Sequence, residues 1–311
     1  VVCEEDSGLK VSVVIPAFNE ETVIGNTVDG IKAALASYFE FEIILVDNMS
    51  TDRTSIIAQE LGAKVLKSSA SSIAGLRNEG VKLSSGKLLV FIDADITLGD
   101  DWGGVLYKEY DELVSSNVLT GYRCLSDGTE GVFHDAWFSL LFEKPSTNYI
   151  GSAHMIMPAK LFHKVEGFNA SLTTGEDSDI CERITDRGGK IVPNKNFRAL
   201  HHGFPRSVKQ FVLREAWHGG VKSLRDLFFS PVNFASLIFS ALFLLFFYGL
   251  LTASVLVSFS TLMMLILLSF GISSYKFKNL GGLLRLKNMY VVLLYLSGRA
   301  LSFVINGRRA R

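Results

Sequence analysis

Charge is missing from this chain where it would matter most: residues 232–275 carry none, and residues 276–311 carry no acidic residue. Forty-four uncharged, mostly apolar residues in a row exclude an ordinary amphipathic surface helix. The overall balance of 31 basic and 31 acidic residues therefore hides an asymmetry. Residues 1–231 hold all 31 acids against 23 Lys and Arg, a formal −8, while residues 276–311 hold eight Lys and Arg. An acidic head speaks against a nucleic-acid partner, which would call for a basic face. Cysteine is scarce too. Cys3, Cys124 and Cys181 have no metal or redox spacing, and their odd number speaks against a disulfide framework, so a reducing compartment is expected. No signal peptide is expected either, because the chain opens on acids and passes straight into a strand; its first residue is not Met.

What is present is organised around Leu88 to Asp95, Leu-Leu-Val-Phe-Ile-Asp-Ala-Asp. A short apolar run without alternation reads as a strand buried on both faces, as in a parallel sheet covered by helices. It delivers Asp93 and Asp95 to the carboxyl edge of the sheet, where open α/β sheets bind ligands. Two hard oxygen donors there suit Mg²⁺ or Mn²⁺ and, through the ion, a diphosphate. Taken alone, the same acids could equally solvate a turn and cap the next helix.

The pattern upstream repeats. Val11–Ala17 reads as a strand, followed by a helix capped by Asn19 that runs to about Tyr38, with Glu20 and Glu21 in its first turn. Glu42–Val46 is a second strand delivering Asp47, with Ser50–Asp52 capping the next helix. Lys64–Lys67 is a third strand, and Ser71–Ser85 a helix bearing Arg77, a residue that could also be solvated. This is a βαβ series with a parallel sheet. Downstream, Trp102–Ser115 and Gly131–Glu143 read as helices, and Val118–Cys124 and His154–Met157 as strands. Thr174 is the expected cap of a helix whose first turn holds Glu176 and Asp177, acids that the helix dipole alone would favour. Phe197–Leu200 leads to His201 and His202, and Ser207–Trp217 has helical periodicity. Residues 232–275 suffice for two membrane spans joined by a turn near 252–260. Lys222 and Arg225 before them, and Lys276, Lys278, Arg285 and Lys287 after, put both ends on the cytoplasmic side by the positive-inside rule. Residues 289–305 are apolar but broken by Arg299, which suggests an interfacial or re-entrant helix. The expected division is a cytoplasmic head, 1–225, and a membrane region, 226–311.

Six stretches in order resemble the family 2 glycosyltransferases: Val-Ile-Pro-Ala-Phe-Asn-Glu-Glu at 14–21, Val-Asp-Asn-Met-Ser-Thr-Asp at 46–52, Arg-Asn-Glu-Gly at 77–80, Asp-Ala-Asp at 93–95, Thr-Gly-Glu-Asp at 174–177, and the stretch from His201 to Gly219. The resemblance implies an α/β GT-A nucleotide-diphospho-sugar transferase fold over about residues 10–225, carrying a C-terminal helical transmembrane region. It implies that Pro16, Ala17, Asn19 and Glu20 line the nucleotide, that Asp47 meets the base and that Arg77 helps nearby. Asp93, Ala94 and Asp95 would hold the ribose and, through Mn²⁺ or Mg²⁺, the diphosphate. Asp177 matches the family's catalytic base, which takes the acceptor's proton during inverting transfer. A histidine serves as a further metal ligand in relatives. Neighbouring side chains on a strand point to opposite faces, so one of His201 and His202 is expected there, with His201 preferred.

Glu176, His202, Arg214, Trp217 and His218 are candidates for an acceptor or diphosphate site. The chain has Val-Leu-Arg-Glu-Ala-Trp at 212–217 in place of the Gln-x-x-Arg-Trp of processive relatives, which speaks against extrusion of a long polymer. The expected substrates are a UDP- or GDP-linked sugar and a membrane-associated acceptor, polyprenyl phosphate or a lipid-linked glycan. A sugar-phosphate nucleotidyltransferase or a non-catalytic membrane scaffold with the same fold are the alternatives.

Overall fold

The computed structural model describes residues 10–126, 128, 131, 133, 137–138, 148–219, 228, 230–277 and 282–305. The chain divides into two compact units, one of residues 1–127 and 144–203, the other of residues 128–143 and 204–311.

The first unit is built on a seven-stranded sheet. Its elements begin with β1 (Lys10–Ala17), α1 (Ile24–Leu35), β2 (Glu40–Asp47), α2 (Thr54–Glu60), β3 (Lys64–Lys67), α3 (Ile73–Lys82) and β4 (Leu88–Ile92). There follow β5 (Ile96–Leu98), α4 (Trp102–Ser115), β6 (Val118–Gly121), β7 (Leu125–Ser126), β8 (His154–Pro158), α5 (Ala159–Lys164), α6 (Glu176–Asp186), β9 (Lys190–Pro193) and β10 (Ala199–His201). The sheet order is β3-β2-β1-β4-β8-β6-β9. The first four strands pair in parallel, as right-handed βαβ crossovers require, whereas β8 runs antiparallel to both β4 and β6. All five residues of β4 are buried, because helices cover both faces. Side-chain alternation along β1 divides the core. Val11, Val13 and Ile15 pack with Ile24, Val28 and Ile31 of α1 and Trp102 and Leu106 of α4. Val14 faces the other way, with Ile44, Phe91, Leu76, Val81 and Ile180. A smaller sheet, ordered β5-β10-β7, sits beside the end of β4 in sequence and sets His201 opposite Ile96.

Element existence follows the apolar patterning, but ends do not. The central strand stops at Ile92 rather than Asp95, the strand from Val118 stops at Gly121, and the helix expected over 71–85 spans Ile73–Lys82. The helix expected from 131 to 143 lies outside the described residues except at 131, 133, 137 and 138.

His154 illustrates how the core disposes of a polar group. It is buried between Trp102, whose indole N–H donates to Nε2 at 2.8 Å, and the Tyr122 carbonyl, 3.0 Å from Nδ1. An indole only donates, so Nε2 must accept and the ring is neutral. Burial pushes it down to about 4, against the opposing pull of the Tyr122 carbonyl. Between about pH 6.5 and 4 the unfolded chain takes up a proton that the folded one refuses, so stability falls as pH falls, by about 1.4 kcal/mol per unit. Replacing His154 by Gln should flatten this part of the acid slope in unfolding curves of the full chain. An unchanged slope would assign it to other groups.

The second unit is helical. Its α7 (Val208–His218) begins in a capping box, with Ser207 and Gln210 satisfying each other's backbone amides. There follow α8 (Pro231–Leu251), α9 (Val255–Lys276) and α10 (Gly282–Ile305). Two of these, α8 and α9, are long and apolar enough to cross a membrane. Many of their large side chains face outward, among them Leu244, Leu251, Val255 and Leu256, while most buried positions, Phe239 and Leu265 apart, are small or polar: Asn233, Ser236, Gly249, Thr261, Ser269 and Ser273. That inverts the soluble pattern and suits helices solvated by lipid, where small residues let helices approach. Residues 252–254 make the turn between them. Arg299, the charge within the apolar run of α10, donates to Glu215 Oε2 at 3.2 Å and to the His218 carbonyl at 2.7 Å, closing the C-terminus of α7. The basic residues Lys222, Arg225, Lys278, Arg308, Arg309 and Arg311 lie outside the described residues.

Candidate active site

The parallel strands of the first unit end side by side, with Ala17 in register with Asp47, so the loops that follow β1 and β2 are neighbours. Asn19 is not a helix cap. It lies in the left-handed region at φ 56, and the first helical turn starts later, after Val23. Its amide oxygen instead accepts the Thr51 N–H at 2.8 Å, and its own N–H donates to Ser50 Oγ at 2.9 Å. Glu20 N–H donates to Thr54 Oγ1 at 2.7 Å, and Glu21 N–H to Asp52 Oδ2 at 3.1 Å. The two loops are stitched together through their backbone, which leaves the Pro16–Glu20 edge firm. Asp47 is fully buried: Oδ1 accepts the Ser50 N–H at 3.0 Å and Oδ2 the Ser55 hydroxyl at 2.5 Å. Its carboxylate thereby shapes the loop over 48–52.

Asp93, Ala94 and Asp95 turn between β4 and β5 and are clamped from three sides. Thr27 Oγ1 donates to the Ala94 carbonyl at 2.7 Å, Asp93 N–H to the Ala153 carbonyl at 3.2 Å, and His202 N–H to the Asp95 carbonyl at 3.0 Å. His201 Nε2 lies 3.1 Å from Asp95 Oδ1, while the His202 ring turns away to bond Thr97 Oγ1 at 2.9 Å. This is the opposition of neighbouring side chains that a strand imposes. Gly203 keeps the space beside the pair open: a Cβ there would stand 2.0 Å from Asp95 Oδ2 and 3.1 Å from His201 Nε2.

Arg77 is buried, only 1% exposed, which overturns a solvated placement. It donates to Asp93 Oδ1 at 2.6 Å and to Glu176 Oε1 at 3.0 Å, with the Phe168 ring 5.7 Å from the guanidinium. Ser152 Oγ adds a second bond to Glu176 Oε1 at 3.0 Å. One cation therefore ties the Asp-x-Asp turn to the start of α6.

The donors suit a divalent ion. A carboxylate and an imidazole in contact match Mn²⁺ chemistry, and the cleared space at Gly203 adjoins both. Glu20 reports the local field: burial first, then the charges of Asp95, Asp93 and Asp52, push it up to about 7. A cation would relieve that crowding of carboxylates. Among the described residues no three His, Cys, Asp or Glu side chains converge as a ready-made ligand set. The expected trio is a close pair, Asp95 with His201, plus an Asp93 already committed through one oxygen to Arg77.

Thr174 does not cap α6. Gly175 does, at φ 81 and without a side-chain bond, and the helix starts at Glu176. Glu176, Asp177 and Asp179 fill its first turn, where the helix dipole favours acids. They differ sharply in surroundings. Glu176 is buried on Arg77, Asp179 pairs with Arg183 one turn on at 2.5 Å, and Asp177 accepts the Tyr149 hydroxyl on Oδ2 at 2.5 Å. Tyr149, Ser152 and Gly203 had no signature in the sequence, because each matters only through a partner far along the chain.

Arg214, Trp217 and His218 belong to the second unit, in α7. Arg214 lies over Phe138 and Phe204, with guanidinium-to-ring distances of 5.1 and 5.6 Å, and beside Glu215 at 3.5 Å. Trp217 packs on the His218 ring at 4.6 Å, and burial, followed by the charges of Arg214 and Arg299, pushes that imidazole down to about 3. They form a cluster of their own.

Residues 12–164 match the sequence profile described as Glycosyl transferase family 2. Among curated proteins, the chain is similar to "Glycosyltransferase AglE" of Haloferax volcanii, 25% identical over 190 residues, covering 57% of this chain and 62% of that protein. It is also similar to "Pre-mycofactocin glycosyltransferase" of Mycobacterium tuberculosis, 24% identical over 224 residues, covering 68% of this chain and 46% of the other. The chain thus spans less than two thirds of the length of these relatives. Among solved structures, the mannosyltransferase PcManGT from Pyrobaculum calidifontis, in complex with GDP-Man and Mn²⁺, superposes with a TM-score of 0.57 at 15% identity, over 98% of this chain and 88% of that one. The architecture is the GT-A fold, with two apolar helices appended near the C-terminus.

Proposed function

Through residues 12–164 the chain belongs to glycosyl transferase family 2, and from that premise we propose that it transfers a sugar from a UDP- or GDP-linked donor to a membrane-associated acceptor. The observation that carries this reading is the crowding of Glu20, Asp93 and Asp95 at one strand edge, beside His201 and the space that Gly203 keeps clear. A nucleoside diphosphate would lie across the stitched loops, bordered by Pro16, Ala17, Glu20 and Ala94, with Asp47 holding the loop that faces the base. Asp95 and His201, joined by Asp93, would hold Mn²⁺ or Mg²⁺. When bound, the ion neutralises diphosphate charge and so favours departure of the leaving group. Asp177 takes the proton of the acceptor as its oxygen attacks, giving inversion. Residues 1–225 form the catalytic head at the cytoplasmic face, and residues 226–311 anchor it, with α8 and α9 crossing the bilayer as a hairpin. Relatives solved with GDP-Man and Mn²⁺ and with UDP-GlcNAc support the donor class.

Calorimetric titration of the full chain in detergent with UDP and GDP, with and without Mn²⁺, tests the reading. Metal-dependent binding of one nucleotide, weakened at least about tenfold in Asp95→Ala, is expected. Folded protein that binds neither nucleotide in either condition would sink the assignment.

A further inference from the structure

Asp177 has a partner that the proposed chemistry does not use. Tyr149 places its hydroxyl 2.5 Å from Asp177 Oδ2, while Asp177 Oδ1 receives the Ser178 N–H at 2.8 Å. The oxygen that a base needs is therefore occupied by an O–H donor of the protein's own. Tyr149 is not locked into the core, for 40% of it remains exposed. Gly151 leaves the same side of the carboxylate bare, and a Cβ there would only just touch the Tyr149 hydroxyl at 3.6 Å and Asp177 Oδ2 at 3.9 Å.

The charges that raise the phenol are of one sign. Burial first, and then Asp177 and Glu176, push it up, so that it stays a donor at every physiological pH. The two arginines tied to this helix are spent: Arg77 on Asp93 and Glu176, and Arg183 on Asp179 and the Val165 carbonyl. A phosphate oxygen brought to the position of the phenol would meet a carboxylate, with these two cations engaged elsewhere. A neutral hydroxyl would meet an acceptor already shown to take an O–H.

We infer that the Tyr149 hydroxyl marks the acceptor's place on Asp177, and that the group accepting the sugar is a neutral hydroxyl, as on a sugar or polyol, rather than a phosphate. This rests on Asp177 being the base. In the loaded site the acceptor hydroxyl displaces the phenol. Its oxygen bonds to the anomeric carbon, the bond from that carbon to the diphosphate breaks with its electron pair leaving on the nucleoside diphosphate, and the hydroxyl proton passes to Asp177 Oδ2. Until then Tyr149 keeps water off the base, which makes it a positioning residue that guards the donor against hydrolysis.

The experiment needs no identified acceptor. Nucleoside diphosphate release from UDP-GlcNAc and GDP-mannose into water is followed across pH for the full-length wild type, Tyr149→Phe and Asp177→Asn, and sugar transfer to farnesyl phosphate is assayed alongside. Tyr149→Phe should release nucleoside diphosphate about threefold faster, since water now reaches a less satisfied base. A loss of packing alone would slow release rather than speed it. Release by folded Tyr149→Phe no faster than by the wild type overturns the proposal while leaving the base in place if Asp177→Asn is slow. Undiminished release by Asp177→Asn overturns the base and this inference with it. A glycosylated farnesyl phosphate product overturns the hydroxyl assignment.

Discussion

Arg77→Met should destabilise the first unit by about 3–5 kcal/mol, because it strands a buried carboxylate rather than merely deleting a contact. The guanidinium serves Asp93 and Glu176 at once, and Glu176 is itself buried, with Ser152 as its other donor. Removing the cation leaves two negative groups facing each other across the site that the guanidinium filled. Arg77→Lys keeps the charge but has no planar fork to reach both carboxylates, so an intermediate loss is expected. Hydrogen exchange in the full chain reads the effect where it arises, on peptides covering α3 and β4. The double variant Arg77→Met/Glu176→Gln should recover part of the loss, since it removes the stranded charge. Protection in Arg77→Met within about 1 kcal/mol of wild type would mean that the three groups are held by their surroundings and not by each other.

Asp177→Asn should lower kcat by about 10²–10⁴-fold while leaving nucleotide affinity within about twofold. The amide is nearly isosteric, still accepts the Tyr149 hydroxyl and still lies in the first turn of α6. The lost interaction of its charge with the helix dipole costs about 0.3–1 kcal/mol, too little to unfold the unit. A structural role and a catalytic one therefore separate cleanly: the first predicts a small fall in thermal stability with activity kept, the second the reverse. A variant that keeps kcat within about tenfold of wild type removes Asp177 from the chemistry.

Local patterning was a good guide wherever a residue's fate depends on its neighbours in the chain. Lys64–Lys67 and Trp102–Ser115 begin and end where their apolar periodicity says they should. The 44 uncharged residues after position 231 fold as two helices with a turn at 252–254, since a span of about 20 residues leaves room for little else. Delivery of Asp47 and Asp93 to one edge also follows from patterning, because parallel strands joined by helices must all end on the same side.

The helix starts expected at Asn19 and Thr174 lie elsewhere, each for its own reason. A cap is a competition for a side chain's hydrogen bond, and for Asn19 the loop over 50–51 wins. For α6, a left-handed Gly175 makes the entry without any side chain.

By itself, then, the sequence determined which segments become strands and helices, that the last third suits lipid, and which strand edge collects the carboxylates. All three depend on periodicity, chain reach and charge counts, quantities that a linear string carries. Only the tertiary structure decided that Arg77 is an internal counter-ion, that His201 and not His202 turns to Asp95, that Gly203 must lack a side chain, and that Tyr149 sits on Asp177. The partners in these pairings are distant along the chain, Arg77 from Glu176 by 99 positions and Tyr149 from Asp177 by 28. Hydrogen bonds and ion pairs act over about 3 Å, and no local preference encodes which groups the fold brings that close.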